Sequence, residues 1–402
     1  MNLINYYNFG YNKLGPLLYG FSYWLLDNFQ MKGIKKVFFL SRDGLIMKNA
    51  FDVINSKSID TYYLEVSRRS LRVPILWQDC SFNNLMTMLA PSKLITLTSI
   101  FDAVGLNIDE YNDRLREYGL NHNSYFYRKD IKTNNKLLAL YSELEKDIID
   151  CSRKEQELLI EYLKENKVEG KFAIVDIGWS GGMQRFLQMT LNNIGIENEI
   201  YGYYTGIANY YNRNTINDEL NINGYLFDFS KNPLDVDVRS SFVGLYELMF
   251  LETKGSVKNY KRDSSGKIIA IRYPYEYIKD DKELPEIQCL RCLQKGAIDF
   301  VLKMKNNNII INKEELSRSL IIAGSKPTKE TLSLFGDFSF FDEGEYCKLA
   351  RPNNLLYYCF HPKQLRKDFY KSRWKTGFLK KLLVLPLNYQ IIYDFFKKVN
   401  TL

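Results

Sequence analysis

Residues 37–44 read Val-Phe-Phe-Leu-Ser-Arg-Asp-Gly, and no other stretch constrains the fold as strongly. Four consecutive apolar residues, with Gly33 before them and Gly44 after, predict a short strand buried on both faces, as in a parallel sheet. Leu45, Ile46, Ala50 and Phe51 then continue into an amphipathic helix over 45–55. A strand, a sharp turn and a helix place Ser41, Arg42, Asp43 and Gly44 at the strand's carboxyl end, where open α/β sheets bind ligands. The same layout aims the helix's first N–H groups at an anion.

Two further stretches repeat that layout. A strand over 60–66 ends in Ser67-Arg68-Arg69 and completes a β-α-β unit with a right-handed crossover. A strand over 171–176 runs into Asp176-Ile177-Gly178-Trp179-Ser180-Gly181-Gly182 and then a helix marked by Phe186, Leu187, Met189 and Leu191. Small residues there permit close backbone approach and leave N–H groups free for an anion; the same turn can equally be packing punctuation. It is no Walker loop, because the Gly-Lys-Ser/Thr ending is missing. More strands are expected over 199–207 and 224–229, and a hairpin around Asp263-Ser264-Ser265-Gly266. Helices are expected over 12–32, 237–250, 286–304 and 313–323, with another starting at Pro327. Residues 71–168 carry no good strand signal and read as helices, strongest over 131–166.

These stretches, in this order, resemble the haloacid dehalogenase (HAD) superfamily, whose first motif is Asp-x-Asp-Gly after an apolar strand and whose second is a Ser or Thr ending the next strand. The closer resemblance is to HAD-like proteins of bacterial surface-polysaccharide gene clusters, some of them fused to glycosyltransferases. Those carry Ser-Arg-Asp-Gly, Ser-Arg-Arg, an Asp-Ile-Gly-Trp-type loop and a Glu followed by Gly-Ser. Here these are Ser41 to Gly44, Ser67 to Arg69, Asp176 to Trp179, and Glu247 leading to Gly255-Ser256. The resemblance covers roughly residues 15–340.

It implies a HAD-like, Rossmann-like domain (1–70 and 169–275) with a helical, cap-like insertion (71–168); the rest of the chain reads as a helical region (276–362) and a basic helical tail (363–402). It further implies Asp43 as acid/base or metal ligand, Asp176 as a ligand of Mg²⁺, Ser67 as a donor to phosphate oxygen, and Arg68 or Arg69 as a charge clamp. Arg42, Gly44, Ser180, Gly181 and Gly182 complete the expected phosphate side, and Glu247 is a further candidate. One position departs from the family. Ser41 stands where HAD phosphatases have their nucleophilic Asp. A serine hydroxyl needs an activating base and cannot hold Mg²⁺ as a carboxylate does.

A chain of 402 residues exceeds what one core usually holds, so several domains or large insertions are expected. No apolar run reaches the roughly 18 residues of a transmembrane helix, and the first ten residues do not read as a signal peptide, so a cytoplasmic location is expected. The six cysteines are thinly spread and suit reduced thiols; Cys289 and Cys292 share a helical i, i+3 spacing rather than a zinc pattern. His122 and His361 have no metal-ligand spacing between them.

Residues 363–402 hold ten Lys/Arg and two Asp, so their net charge of +8 equals that of the whole chain. Trp374, Phe378 and the apolar run over 382–385 are interleaved. Such a tail suits an anionic membrane surface, or else packs its apolar residues on the protein. Nucleic acid is not an expected partner, since no recognised motif accompanies the basic patch.

The expected function, implied by resemblance, is a hydrolase or phosphoryl-transfer enzyme acting on a phosphosugar or sugar nucleotide in surface-polysaccharide assembly, with glycosyltransferases as partners. A glycosyltransferase using the same phosphate apparatus, and a non-catalytic scaffold module, stand as alternatives.

Overall fold

The structure is a computed structural model, and it describes residues 2–89, 94–214, 219–305, 312–342 and 345–399. Five parallel strands form the main sheet: β1 (Lys36–Leu40), β2 (Asp60–Leu64), β3 (Gly170–Trp179), β4 (Asn198–Ile207) and β5 (Asn221–Gly224), in the order β2-β1-β3-β4-β5. This is a Rossmann-like α/β sheet. Its strand order reverses between β1 and β3, and the crevice outside the carboxyl ends of those two strands is the switch point at which such sheets bind ligands.

Alternation along β1 explains its unbroken apolar run. Val37 and Phe39 enter a large core with Ala173, Val175 and Tyr203, under helices α1 (Gly15–Lys32), α2 (Gly44–Ile54) and Pro285–Met304. Phe38 and Leu40 enter a second core with Leu64, Ile174 and Ile200, covered by Phe186, Leu187, Leu191, Leu159 and Tyr162. Both faces of the sheet are therefore covered, and every β1 side chain from Val37 to Leu40 is fully buried.

The fifth strand pairs earlier than expected. The regular ladder of β5 ends at Gly224; beyond it the chain stays tied to β4 by the Tyr225, Leu226 and Phe229 N–H groups and by the bridge Ile207 to Asp228. The chain turns because the Asp228 carboxylate accepts the Gly224 N–H at 2.8 Å. A Cβ on Gly224 would meet the Phe227 carbonyl oxygen at 2.3 Å.

Residues 76–148 of the insertion build a core of their own. They include one antiparallel pair that the sequence did not signal, Leu94–Thr96 with Tyr125–Tyr127. The helix Glu145–Glu165 leaves this unit and lays Leu159, Tyr162 and Leu163 on the sheet.

The basic tail divides. Trp374 is completely buried, and its indole N–H donates to the Gly324 carbonyl at 2.7 Å. Trp374, Phe378 and Leu382 share the large core with the sheet and with Phe335, Leu349 and Tyr358. Placing Trp374 and Phe378 on a membrane is thereby corrected: the helix Lys375–Leu383 is a core element. Residues 400–402 of the tail lie outside the described residues. Among the described residues, no helix is long and apolar enough to cross a membrane. Cys289 and Cys292 sit on the helix Pro285–Met304, and no disulfide forms among the described residues.

Candidate functional site

Asp43 stands immediately before the first residue of α2, just past the end of β1. Asp176 follows Val175, which lies opposite Phe39 of β1. The two carboxylates thus stand at the carboxyl ends of the strands that flank the switch point, within electrostatic reach of each other. Burial, then the Asp176 carboxylate, then Glu247 push Asp43 up to about 8, against the opposing pull of Arg42 and Arg68. Burial also pushes Asp176 up to about 6; the Ile177 and Gly178 amides and Arg68 oppose this, and Glu247 adds to it. Three acids therefore share one field, with Arg68 as a common counter-charge.

Arg68 differs from its neighbours in having nothing else to do. Its side chain is exposed and makes no hydrogen bond or ion pair among the described residues. It borders a small, open depression lined also by Asp176, Gly178, Ser180, Gly181, Gly182, Met183 and Tyr204. Gly181 caps the helix α3 (Gly182–Asn193), whose first-turn N–H groups have no intrahelical acceptor and carry the positive end of its dipole. Ser180 is held by Asn214, whose amide donates to the Ser180 hydroxyl at 3.0 Å and to its carbonyl at 3.2 Å. Tyr204 donates to Gln184 at 2.9 Å, so its ring forms a wall.

Gly178 is fixed by its surroundings. Its φ is +110°, and a Cβ would meet the Gly206 carbonyl oxygen at 2.6 Å and the Tyr204 Cβ at 2.7 Å. Trp179 is then held between layers. Its ring lies against Phe227, the buried Arg239 guanidinium sits 3.2 Å from its centroid, and its indole N–H donates to Glu247 at 3.0 Å. Glu247 is thus oriented beside the acid pair rather than on a solvated face.

The remaining expected site residues have structural occupations. The Ser41 hydroxyl donates to the Val66 carbonyl at 2.6 Å and accepts the Val66 N–H at 3.0 Å, tying the end of β1 to the chain beyond β2. Ser67 caps the short helix Arg68–Arg72 and donates to the Val257 carbonyl at 2.7 Å. Arg69 forms a two-pronged pair with the buried Glu155 of the insertion, at 2.8 and 2.9 Å. Arg42 bridges both oxygens of Glu276, at 2.7 and 2.8 Å. Gly44 is packed on Phe39, where a Cβ would meet the Phe39 carbonyl carbon at 3.0 Å. Gly255 and Ser256 serve the hairpin: the Ser256 carbonyl accepts the Tyr273 N–H at 2.9 Å, and the Gly255 carbonyl accepts from Arg272 at 2.9 Å.

The site residues that pattern reading missed are Tyr204 and Arg239. Tyr204 carried one signal, its place in a strand whose alternate residues face opposite layers. Arg239 carried none.

No family model matches the sequence, and no curated protein matches it.

Among the described residues, no group of three or more His, Cys, Asp or Glu is arranged to hold a metal ion. The pair Asp43 and Asp176 is nonetheless a chemically suitable holder for Mg²⁺, which is usually bound by one or two carboxylates together with substrate phosphate oxygens and water. Two mutually repelling buried acids are stabilised by either a proton or a cation.

Proposed function

We propose that this chain is a HAD-like hydrolase or phosphoryl-transfer enzyme acting on a phosphorylated or nucleotide-linked sugar. One observation carries the reading: two buried acids in each other's field and an arginine with no hydrogen-bond or ion-pair partner stand at the switch point of a parallel sheet, beside a glycine-rich helix start. Perturbed acids in a cleft mark functional sites, and the cation–amide surround suits a phosphate.

In this reading, Arg68 grips phosphate oxygens with its planar fork, and the N–H groups after Gly181 take others. Mg²⁺ held by Asp176, with Asp43 beside it, would neutralise charge on the transferring group. Ser41 cannot serve as the nucleophile while its proton is given to Val66. The incoming group is therefore water or an acceptor hydroxyl rather than an enzyme carboxylate. One P–O bond forms and one breaks; Asp43, a carboxylate once a cation shares the site, takes the proton that the incoming hydroxyl sheds and passes it to the departing oxygen. Water as acceptor gives a hydrolase, and a sugar hydroxyl gives a transferase.

The test is a turnover screen of phosphosugars and sugar nucleotides, with and without Mg²⁺. Asp43→Asn should lower turnover about 100-fold or more. Ser41→Asp restores the family's nucleophile position and should add phosphatase activity. Full turnover in Asp43→Asn would overturn Asp43's role, and no turnover of any substrate by the wild type would overturn the enzymatic reading.

A further inference from the structure

Scattered exposed apolar residues are normal on a protein surface, whereas a concentration of them marks a docking site. Of 24 large hydrophobic residues exposed in the described structure, eleven fall between residues 355 and 396. That is more than two-fifths of them in about a tenth of the chain.

They come from three pieces. The helix Leu355–Phe360 exposes Leu356 (69%) and Phe360 (75%). The turn after the helix Lys375–Leu383 exposes Val384 (68%) and Leu385. The helix Tyr389–Val399 exposes Ile391 (64%) and Phe395 (63%).

The pieces are joined. The helix Pro362–Lys371 packs on the first, and its Phe369 ring lies 6.2 Å from Phe396 of the last and 5.7 Å from the buried Phe378. Tyr389 donates to the Leu385 carbonyl at 2.6 Å, closing the turn onto the last helix. Buried Trp374 fixes the whole region to the core.

Charge decides what covers this face. Residues 363–398 hold ten basic side chains and two acidic ones, a net of +8. Both acids are occupied: Asp368 accepts from Tyr358 and Gln364, and Asp394 from Gln390. Lys363 and Lys367 are exposed and have no partner among the described residues. A second copy of the chain would bring a like-charged patch against this one in any self-complementary contact. An anionic lipid surface satisfies both features at once, taking apolar side chains at headgroup depth and basic ones against lipid phosphates.

We propose that this C-terminal face docks the protein on an anionic membrane surface, with Phe360, Ile391 and Phe395 as its apolar contacts. The proposal does not rest on the phosphate-ester reading. The membrane face is thus not the one suggested by the tail's central Trp374 and Phe378, and it draws in the helix Leu355–Phe360 from outside the tail.

The full chain is sedimented with vesicles of phosphatidylglycerol and phosphatidylcholine, and with vesicles of phosphatidylcholine alone. Expected are binding to the mixed vesicles only, and loss of binding as salt approaches about 1 M, where charge attraction reaches about 3 Å. Ile391→Asp with Phe395→Asp, and separately Lys363→Glu with Lys367→Glu, should each weaken binding about tenfold or more with unchanged melting temperature, since all four residues are exposed. Absence of binding to the mixed vesicles overturns the proposal. So does equal binding to neutral vesicles, or unchanged binding by both double variants. A concentration-dependent dimer that the same substitutions abolish, without vesicle binding, would assign the face to a second copy instead.

Discussion

Asp43 and Arg69 show how differently two charged residues next to the same crevice can be employed. Asp43 has an acid neighbour and a burial that favours its neutral form, so it stores a proton at the expense of stability. Its folded value of about 8 exceeds the ordinary 3.8. Between those values the folded state keeps a proton that the unfolded chain has lost, so stability falls as pH rises across the window. Asp176 acts in the same direction up to about 6. Without divalent cations, the melting temperature of the wild type should decline from about pH 4 to about pH 8. Asp43→Asn should flatten that decline and, at pH 8.5, be the more stable protein by at least about 1 kcal/mol, the worth of roughly one pKa unit. Identical slopes for both proteins would remove the coupled acid pair from the account. Arg69 behaves oppositely, because its charge is paired with Glu155 inside the protein. Arg69→Ala leaves that carboxylate buried and unpaired, a loss of about 3–5 kcal/mol. Arg68→Ala breaks no hydrogen bond or ion pair and removes only a counter-charge to the acid pair, so denaturant unfolding should show a loss well below that of Arg69→Ala. The sequence could not separate these two arginines. What decides between them is Glu155, 86 residues away; Arg42 is likewise claimed by Glu276 across 234 residues.

At the scale of elements, β1, β3 and the helix after Gly181 were legible because their surroundings are uniform. A strand covered on both faces needs an unbroken apolar run, and a helix on such a sheet needs an apolar stripe; neither depends on what lies far away in sequence. The short pair Leu94–Thr96 and Tyr125–Tyr127 fell below the length at which alternation can be recognised. The start of β5 was misplaced because Tyr225 and Phe227 are apolar and buried and still bond to β4, yet the regular ladder lies before them, over Asn221–Gly224. The helix Lys375–Leu383 was ambiguous for a different reason. A basic helix with an apolar stripe has the same sequence whether the stripe meets lipid or protein, and only Gly324, accepting hydrogen bonds from both Trp374 and Thr376, settles which. Truncation after His361 should therefore yield a protein that melts well below the full chain or is insoluble. Trp374→Ala alone should cost about 3–5 kcal/mol in chemical denaturation. A truncated chain as stable as the full one would return this helix to the periphery.

Across the whole molecule, a two-faced sheet fixes the acid pair while the flanking units supply the rest. The helix Val243–Phe250 brings Glu247 and holds it through Trp179; the insertion steadies the short helix carrying Arg68 through the Arg69–Glu155 pair. In the proposed reading, Asp43 and Asp176 form one site that exchanges a proton for a cation beside a phosphate. The most direct measurement is Mg²⁺ binding by calorimetry near pH 7, repeated in buffers of different ionisation enthalpy so that proton release is counted. The account predicts that Mg²⁺ displaces up to about one proton from the wild type, because metal binding requires deprotonated carboxylates, and that Asp43→Asn shows little release. No binding of Mg²⁺ by the wild type, or binding whose heat is the same in every buffer, would contradict it.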